Sequence, residues 1–300
     1  MEAIVAYFSG LNNSHVKAGI QRLNCSESGD NNAFFSFLNR LQRFLFIACL
    51  MPMLSQGAQE CTKIVISGNP DYPPITWIDS HGATPMRGVA IELLEMAFSE
   101  LSIPLDAMHV GNWKRAQHSA RTGKIDLLAG PYQTTERNEY LEYVEPAFMQ
   151  DPVAIFFKNG HQIDIDDWSQ LRAYTGARPL GHQFGEQFDS FAQQNLKFYS
   201  ASSIQQLFEM LVNERVDYVI YGLNPGLAEA AKGGFSNEIT YSSNFISSEP
   251  MYLPFTISSP CRQYSDFLSK KIATFIETGV VEELTTKYLK MLEKQISVSD

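Results

Sequence analysis

The stretch KIVISGNPDYPPITWI, residues 63–78, followed after Gly88 by VAIELLEMAFSEL, residues 89–101, decides the fold. Lys63 to Ser67 is β-branched and short, as a buried strand should be. The Pro-rich turn Asn69 to Pro74 breaks it, and Ile75 to Ile78 resumes extended structure. From Gly88 the apolar residues Val89, Leu93, Leu94, Ala97, Phe98 and Leu101 recur at helical spacing. A strand is expected over 105–110, then a helix from an Asn112 N-cap to Arg121 ended by Gly123, then a buried strand from Ile125 to Ala129. Strand and helix alternating in this way describe a parallel sheet covered by helices.

Downstream the pattern restarts. Asp151 to Phe157 is extended, Asp164 to Leu171 is a short helical turn, and Gly181 to Gly185 precedes further helix. Ser203 should cap a helix carrying Ile204, Leu207, Phe208 and Leu211 on one face, before the buried strand Val216 to Tyr221. Met251 to Ser258 is extended, and helices over 263–278 and 280–292, separated by Gly279, finish the chain. Two α/β lobes follow, the first made of 59–152 and 250–300, the second of 153–249. A two-stranded hinge is expected near 150–155 and 247–253.

Residues 1–58 read as an upstream extension plus a secretory signal peptide. Phe44 to Leu54 is an uncharged apolar run of eleven residues, about half of what a membrane-spanning helix needs. Arg40 and Arg43 precede it and Ser55, Gly57 and Ala58 follow, the charged, apolar, small-residue order of a cleavable leader. Residues 1–38 do not fit a leader, so the true start is expected downstream of Met1. After cleavage near 57–59 only Cys61 and Cys261 of the four cysteines remain, and in an exported protein they are expected to form one disulfide. Both segments would then lie in the first lobe.

Composition narrows the function. The formal net charge is −10, from 33 acidic and 23 basic residues, and no Lys/Arg-rich run occurs, which argues against nucleic acid and anionic membranes as partners. No GxSxG, HExxH, GxGxxG or P-loop appears, and no CxxC pair. His81, His109, His118, His161 and His182 lie far apart in sequence and read as surface or loop positions. No metal, cofactor or catalytic residue is expected.

The order of these segments resembles the extracytoplasmic solute-binding proteins of the polar amino-acid ABC-transporter type (bacterial family 3). The resemblance rests on Asn69-Pro-Asp-Tyr-Pro-Pro74, on Gly88, on Trp113 followed by Gly123-Lys-Ile-Asp126, on GPYQTTER over 130–137, and on Tyr143-Val-Glu-Pro146. Gly181-xxx-Gly185 and Arg215-Val-Asp217 match more weakly. It implies a type II periplasmic-binding-protein-like fold. It further implies a monomeric periplasmic protein that captures a small carboxylate-bearing solute, an amino acid or derivative, by hinge closure and presents it to an ABC permease. A sensory or orphan binding module, and an enzyme such as a dehydratase on the same fold, are the rival readings.

Arg137 is placed by the resemblance on a ligand carboxylate, which suits a planar guanidinium with parallel donors. Thr134 or Thr135 should cap the helix that Arg137 joins. Tyr72 and Trp113 take positions of ligand-contacting aromatics, with Trp77 and Arg115 as further candidates. Gly130 and Tyr132 match the positions that fix a ligand ammonium, and Gly185, Glu186 and Gln187 match the turn that closes from the second lobe. Where relatives carry an ammonium-binding acid five positions after Asp217, this chain has Gly222. Glu186, Glu249 or a different ligand chemistry must then make up the difference.

Overall fold

The structure, a computed structural model, describes residues 60–78, 86–163 and 165–297. The expected leader and upstream extension lie outside the described residues. The first β-strand, β1 (Ile64–Gly68), leads into the small antiparallel pair β2 (Asp71–Tyr72) and β3 (Thr76–Trp77). Helix α1 (Val89–Ser99) follows directly on Gly88 and buries Val89, Ala90, Ile91, Leu93, Leu94, Ala97 and Phe98. Next come β4 (Leu105–Ala107), α2 (Trp113–Arg121), β5 (Leu127–Ala129) and β6 (Leu141–Glu142). Asn112 caps α2 as expected, its side chain accepting from the Arg115 N–H.

The chain then enters a second sheet through the long strand β7 (Met149–Lys158). It continues through β8 (Thr175–Pro179), α3 (Glu186–Asn195), β9 (Lys197–Ala201), α4 (Ile204–Val212), β10 (Tyr218–Gly222), α5 (Leu223–Lys232) and β11 (Ile239–Tyr241). Strand β12 (Ser247–Met251) pairs antiparallel with the start of β7, and β13 (Phe255–Thr256) returns to the first sheet. Helices α6 (Ser265–Glu277) and α7 (Val280–Ser297) finish the chain. Ser203 does precede α4, but its side chain makes no capping hydrogen bond.

The first sheet has the order β4-β1-β5-β13-β6 and the second β11-β7-β10-β8-β9, with β12 also on β7. Both are mixed. The βαβ units give the parallel pairs β1–β4, β1–β5, β10–β8 and β8–β9, while the strands that carry the chain between sheets pair antiparallel. A crossover helix enforces parallel pairing, and β7, β12 and β13 have none.

The C-terminal helices pack on the first sheet's side. Phe98 of α1 meets Phe255, Tyr264 and Phe267, and Glu92 accepts from Lys287 and from the Tyr288 hydroxyl. Cys61 and Cys261 are disulfide-bonded across a sequence separation of 200, fastening the start of β1 to the short 3-10 turn Pro260–Tyr264. Among the described residues no helix is long and apolar enough to cross a membrane.

Candidate functional site

A cleft of about 330 Å³, including its open mouth, lies where the two sheets face each other. Asn69 enters it from the turn after β1, Tyr72, Ile75 and Thr76 from the β2–β3 pair and the turn between them, Trp113 from the first turn of α2, and Ala129 and Gly130 from the end of β5. Tyr132, Arg137 and Met251 complete that wall, and His182 and Gln183 come from the loop between β8 and α3. The carboxyl ends of β1 and β5 thus supply the site, as open α/β sheets generally do.

Arg137 is 2% exposed. Its Nη1 donates to the Tyr132 carbonyl at 2.9 Å, its Nε to Gln117 Oε1 at 3.3 Å, and its guanidinium lies 5.5 Å from the Trp113 ring centroid. The Tyr143 hydroxyl donates to the same Tyr132 carbonyl at 2.8 Å. No ion pair among the described residues includes Arg137. A buried cation held only by neutral acceptors is an incomplete arrangement, since desolvation is not offset by an opposite charge.

Thr134 does support Arg137, accepting from its backbone N–H at 3.3 Å. The expected helix, however, is a three-residue 3-10 turn, Arg137–Glu139, because the chain must turn back at once into β6.

The opposite pole is a carboxylate. Asp151, at the start of β7 and also 2% exposed, receives the Tyr72 and Tyr132 hydroxyls on one oxygen, Oδ2, each at 2.5 Å. The two hydroxyl oxygens are 2.9 Å apart. Burial pushes the Asp151 carboxyl up to about 6, with Glu249 adding to the rise and the two tyrosine hydrogen bonds opposing it. Burial, together with the nearby Asp151, also holds both tyrosines well above the usual phenol range, so they stay protonated donors.

His182 sits among aromatic rings, 5.9 Å from Tyr72, 6.3 Å from Trp113, 5.3 Å from Tyr221 and 6.2 Å from Phe184, and its Nε2 lies 3.3 Å from Asn69 Nδ2. Removal of the ring from water, with Arg137 and Arg178 nearby, drives its pKa down to about 3, so the imidazole is neutral. A second opening shares His182 and Gln183 with the cleft and carries Lys114, His118, Arg121 and Arg178 against the single acid Glu136.

Of the residues expected from sequence, Tyr72, Trp113, Gly130, Tyr132 and Arg137 converge on the cleft. Gly185, at φ +101°, begins α3, and a Cβ there would lie 2.4 Å from Glu249 Oε1. Glu186 is exposed and accepts from the Thr135 N–H at 2.5 Å instead of lining the cleft; Gln187 is also exposed. Gly222 lies one layer behind the cleft wall, against Tyr72 and Asp151. Trp77 is buried elsewhere, its ring edge-on to Tyr288 at 5.1 Å, and Arg115 is exposed over Gly111.

Asn69, Gln117, Asp151, His182, Gln183 and Met251 were not singled out as site residues by sequence. An acid at the head of the apolar run 151–157 was the one signal for Asp151. Among the described residues no group of three or more His, Cys, Asp or Glu is placed to hold a metal ion.

The fold recurs in solved structures. An amino acid ABC transporter substrate-binding protein, AbpA from Streptococcus pneumoniae, bound to L-arginine, superposes with a TM-score of 0.66 at 20% identity, over 77% of this chain and 96% of that one. A putative ABC-transporter binding component from Wolinella succinogenes, complexed with lysine, gives 0.64 at 18% identity over 76% and 96%. A histidine kinase sensor domain with similarity to periplasmic binding proteins gives 0.65 at 19% over 76% and 96%. No curated protein matches the chain. The periplasmic-binding-protein-like architecture, two mixed sheets with helices around a cleft, is therefore shared across these proteins. The family model whose match spans residues 64–291 describes the same kind of molecule, and the chain belongs to the bacterial extracellular solute-binding proteins, family 3.

Proposed function

We propose that the cleft captures a small carboxylate-bearing solute, an amino acid or derivative, and that the closed protein delivers it to an ABC permease. The observation that carries this reading is Arg137, a buried guanidinium facing the cleft with no carboxylate partner among the described residues. A ligand carboxylate supplies the missing charge, with two parallel donors available to it. The L-arginine bound to the streptococcal relative and the lysine bound to the Wolinella one support an amino-acid ligand. Export through the leader to the periplasm, action as a monomer and the absence of enzymatic activity belong to the same reading.

Closure supplies the mechanism. The ligand meets Tyr72, Trp113, Gly130, Tyr132 and Arg137 on the first lobe, residues 59–152 and 250–300, with Thr134 holding the Arg137 backbone. The second lobe, 153–249, then swings about β7 and β12 and brings His182 and Gln183 over it. Glu186 on Thr135 and Gln117 on the Gly181 carbonyl at 3.0 Å hold the lobes together. A ligand touching both walls binds the closed state better and shifts its population.

Calorimetry with the twenty L-amino acids on the wild type and on Arg137→Ala tests this reading. Two charge-assisted hydrogen bonds of roughly 1.5–3 kcal/mol each correspond to a loss of about a hundred-fold or more. Unchanged affinity in the variant removes Arg137 from the site.

A further inference from the structure

We propose that Asp151, acting with the Tyr72 and Tyr132 hydroxyls, forms the seat for the ligand's ammonium group, and that Gly222 is the space given up to build it. The proposal rests on the reading of this cleft as a solute site and names the second charge that the solute must carry.

Four observations converge. Asp151 is buried, and no ion pair among the described residues includes it. A carboxylate so enclosed calls for a cation, and hydroxyl donors supply only part of the compensation. Secondly, both tyrosine O–H groups are committed to the same oxygen of Asp151. Their remaining capacity is lone pairs only, so the hydroxyl oxygens of these two cleft-lining residues become acceptors backed by a negative charge. An ammonium, with three donors and no acceptor, is complementary to two hydroxyl oxygens 2.9 Å apart.

Thirdly, the register of the second sheet sets Gly222 opposite Val153, two residues from Asp151 on β7. A Cβ at 222 would come within 2.3 Å of the Tyr72 hydroxyl and 2.9 Å of Asp151 Oδ2. A side chain on β10 and the Asp151–tyrosine trio therefore compete for one volume. The carboxylate reaches that volume from β7 because β10 leaves it empty. Glu186 and Glu249 do not take this place: Glu186 is turned to Thr135, and Glu249 packs on Gly185.

Fourthly, the two poles share one residue. Arg137 donates to the Tyr132 carbonyl and Asp151 accepts from the Tyr132 hydroxyl. Donor and acceptor poles thus stand along one wall of the cleft, an arrangement that matches a zwitterion and penalises a simple carboxylic acid lacking the ammonium.

The test compares each L-amino acid with the acid that lacks its α-ammonium, for example L-phenylalanine with 3-phenylpropanoate and L-lysine with 6-aminohexanoate. Calorimetry is run on wild type, Asp151→Asn and Arg137→Ala. The wild type should prefer the amine-bearing member by about a hundred-fold, and Asp151→Asn should reduce that preference to less than about ten-fold while binding the des-amino acid nearly as the wild type does. That change in preference is one that loss of structure alone would not produce. If Asp151→Asn fails to fold, the double variant Tyr72→Phe/Tyr132→Phe, which keeps the acid and removes the acceptors, should show the same loss of preference. Wild-type affinity in Asp151→Asn, equal binding of the two members of a pair by the wild type, or binding of des-amino acids alone overturns the proposal. Loss of binding in Arg137→Ala with none in Asp151→Asn overturns this proposal and leaves the carboxylate site standing; insensitivity to Arg137→Ala strikes the site itself.

Discussion

Gly222 and Tyr72 are in contact so close that a Cβ on residue 222 would lie 2.3 Å from the tyrosine hydroxyl and 3.0 Å from Cζ. The backbone of Gly222, at φ −59° and ψ 138°, is one that any residue adopts. Space, then, requires glycine here. Tyr72 cannot easily yield, because its hydroxyl is held by Asp151 and its ring is buried against Tyr221. Gly222→Ala should cost about 1–3 kcal/mol of unfolding free energy, as overpacked cores do. Urea denaturation measures it, and Tyr72→Phe, by removing the offending oxygen, should recover part of the loss in the double variant. Strict additivity would show that the contact is not the cause.

Much of this architecture was legible because local signals agreed with the global fold. The Asn112 cap, the helical spacing after Gly88 and the βαβ rhythm of 63–129 each depend on residues within one or two turns of one another. Arg137, Tyr132 and Gly130 were legible for the same reason, lying within the single run 130–137. The rest of the site comes from strand pairing. Asp151 reaches Tyr72 across 79 positions of sequence, and His182 reaches Asn69 across 113. Trp77 shows the converse: next to cleft residues in sequence, it is drawn away by Tyr288 on the returning helix α7.

Asp151 also makes stability depend on pH. Its carboxyl titrates at about 6 in the folded protein against an ordinary 3.8. The native state therefore holds this proton more tightly than the unfolded chain does. The stabilising contribution is complete below about pH 4 and is lost as pH rises through about 6, a change worth about 3 kcal/mol. Asn at 151 does not titrate. The unfolding free energy of the ligand-free wild type minus that of Asp151→Asn should fall by this order between pH 3.5 and 7.5 in urea titrations. A difference that stays flat with pH would mean that the carboxyl is not perturbed.

Strand β1 separates two functions at its two ends. Cys61 precedes it and is bonded to Cys261, whereas Asn69, just beyond Gly68, lines the cleft. Five extended residues span about 17 Å, far enough to keep the crosslink out of ligand chemistry. Closing a loop of 200 residues restricts the unfolded chain by up to about 5 kcal/mol in the chain-entropy account, within a usual range of about 2–5. Cys61→Ser/Cys261→Ser should lose stability of that order in guanidinium denaturation. Its ligand affinity, measured well below the melting midpoint, should stay within about two-fold of the wild type.

On the proposed reading of the cleft, Gln117 connects the carboxylate pole to closure. Its Oε1 accepts from Arg137 Nε at 3.3 Å, and its Nε2 donates to the Gly181 carbonyl of the second lobe at 3.0 Å. The amide thus orients the guanidinium without neutralising it and ties it to the loop between β8 and α3. Gln117→Ala removes both hydrogen bonds and should weaken ligand binding by roughly ten-fold, at about 0.5–1.5 kcal/mol for each bond. Gln117→Glu is the sharper variant. Its carboxylate would pair with Arg137 inside the protein and oppose the Gly181 carbonyl, so a ligand carboxylate would have to displace an internal ion pair and close against a repulsion. Affinity by calorimetry should therefore fall further in Gln117→Glu than in Gln117→Ala, even though the ligand-free glutamate variant gains a charge partner for Arg137. Should Gln117→Glu bind as well as the wild type, the unpaired state of Arg137 would have no part in recognition.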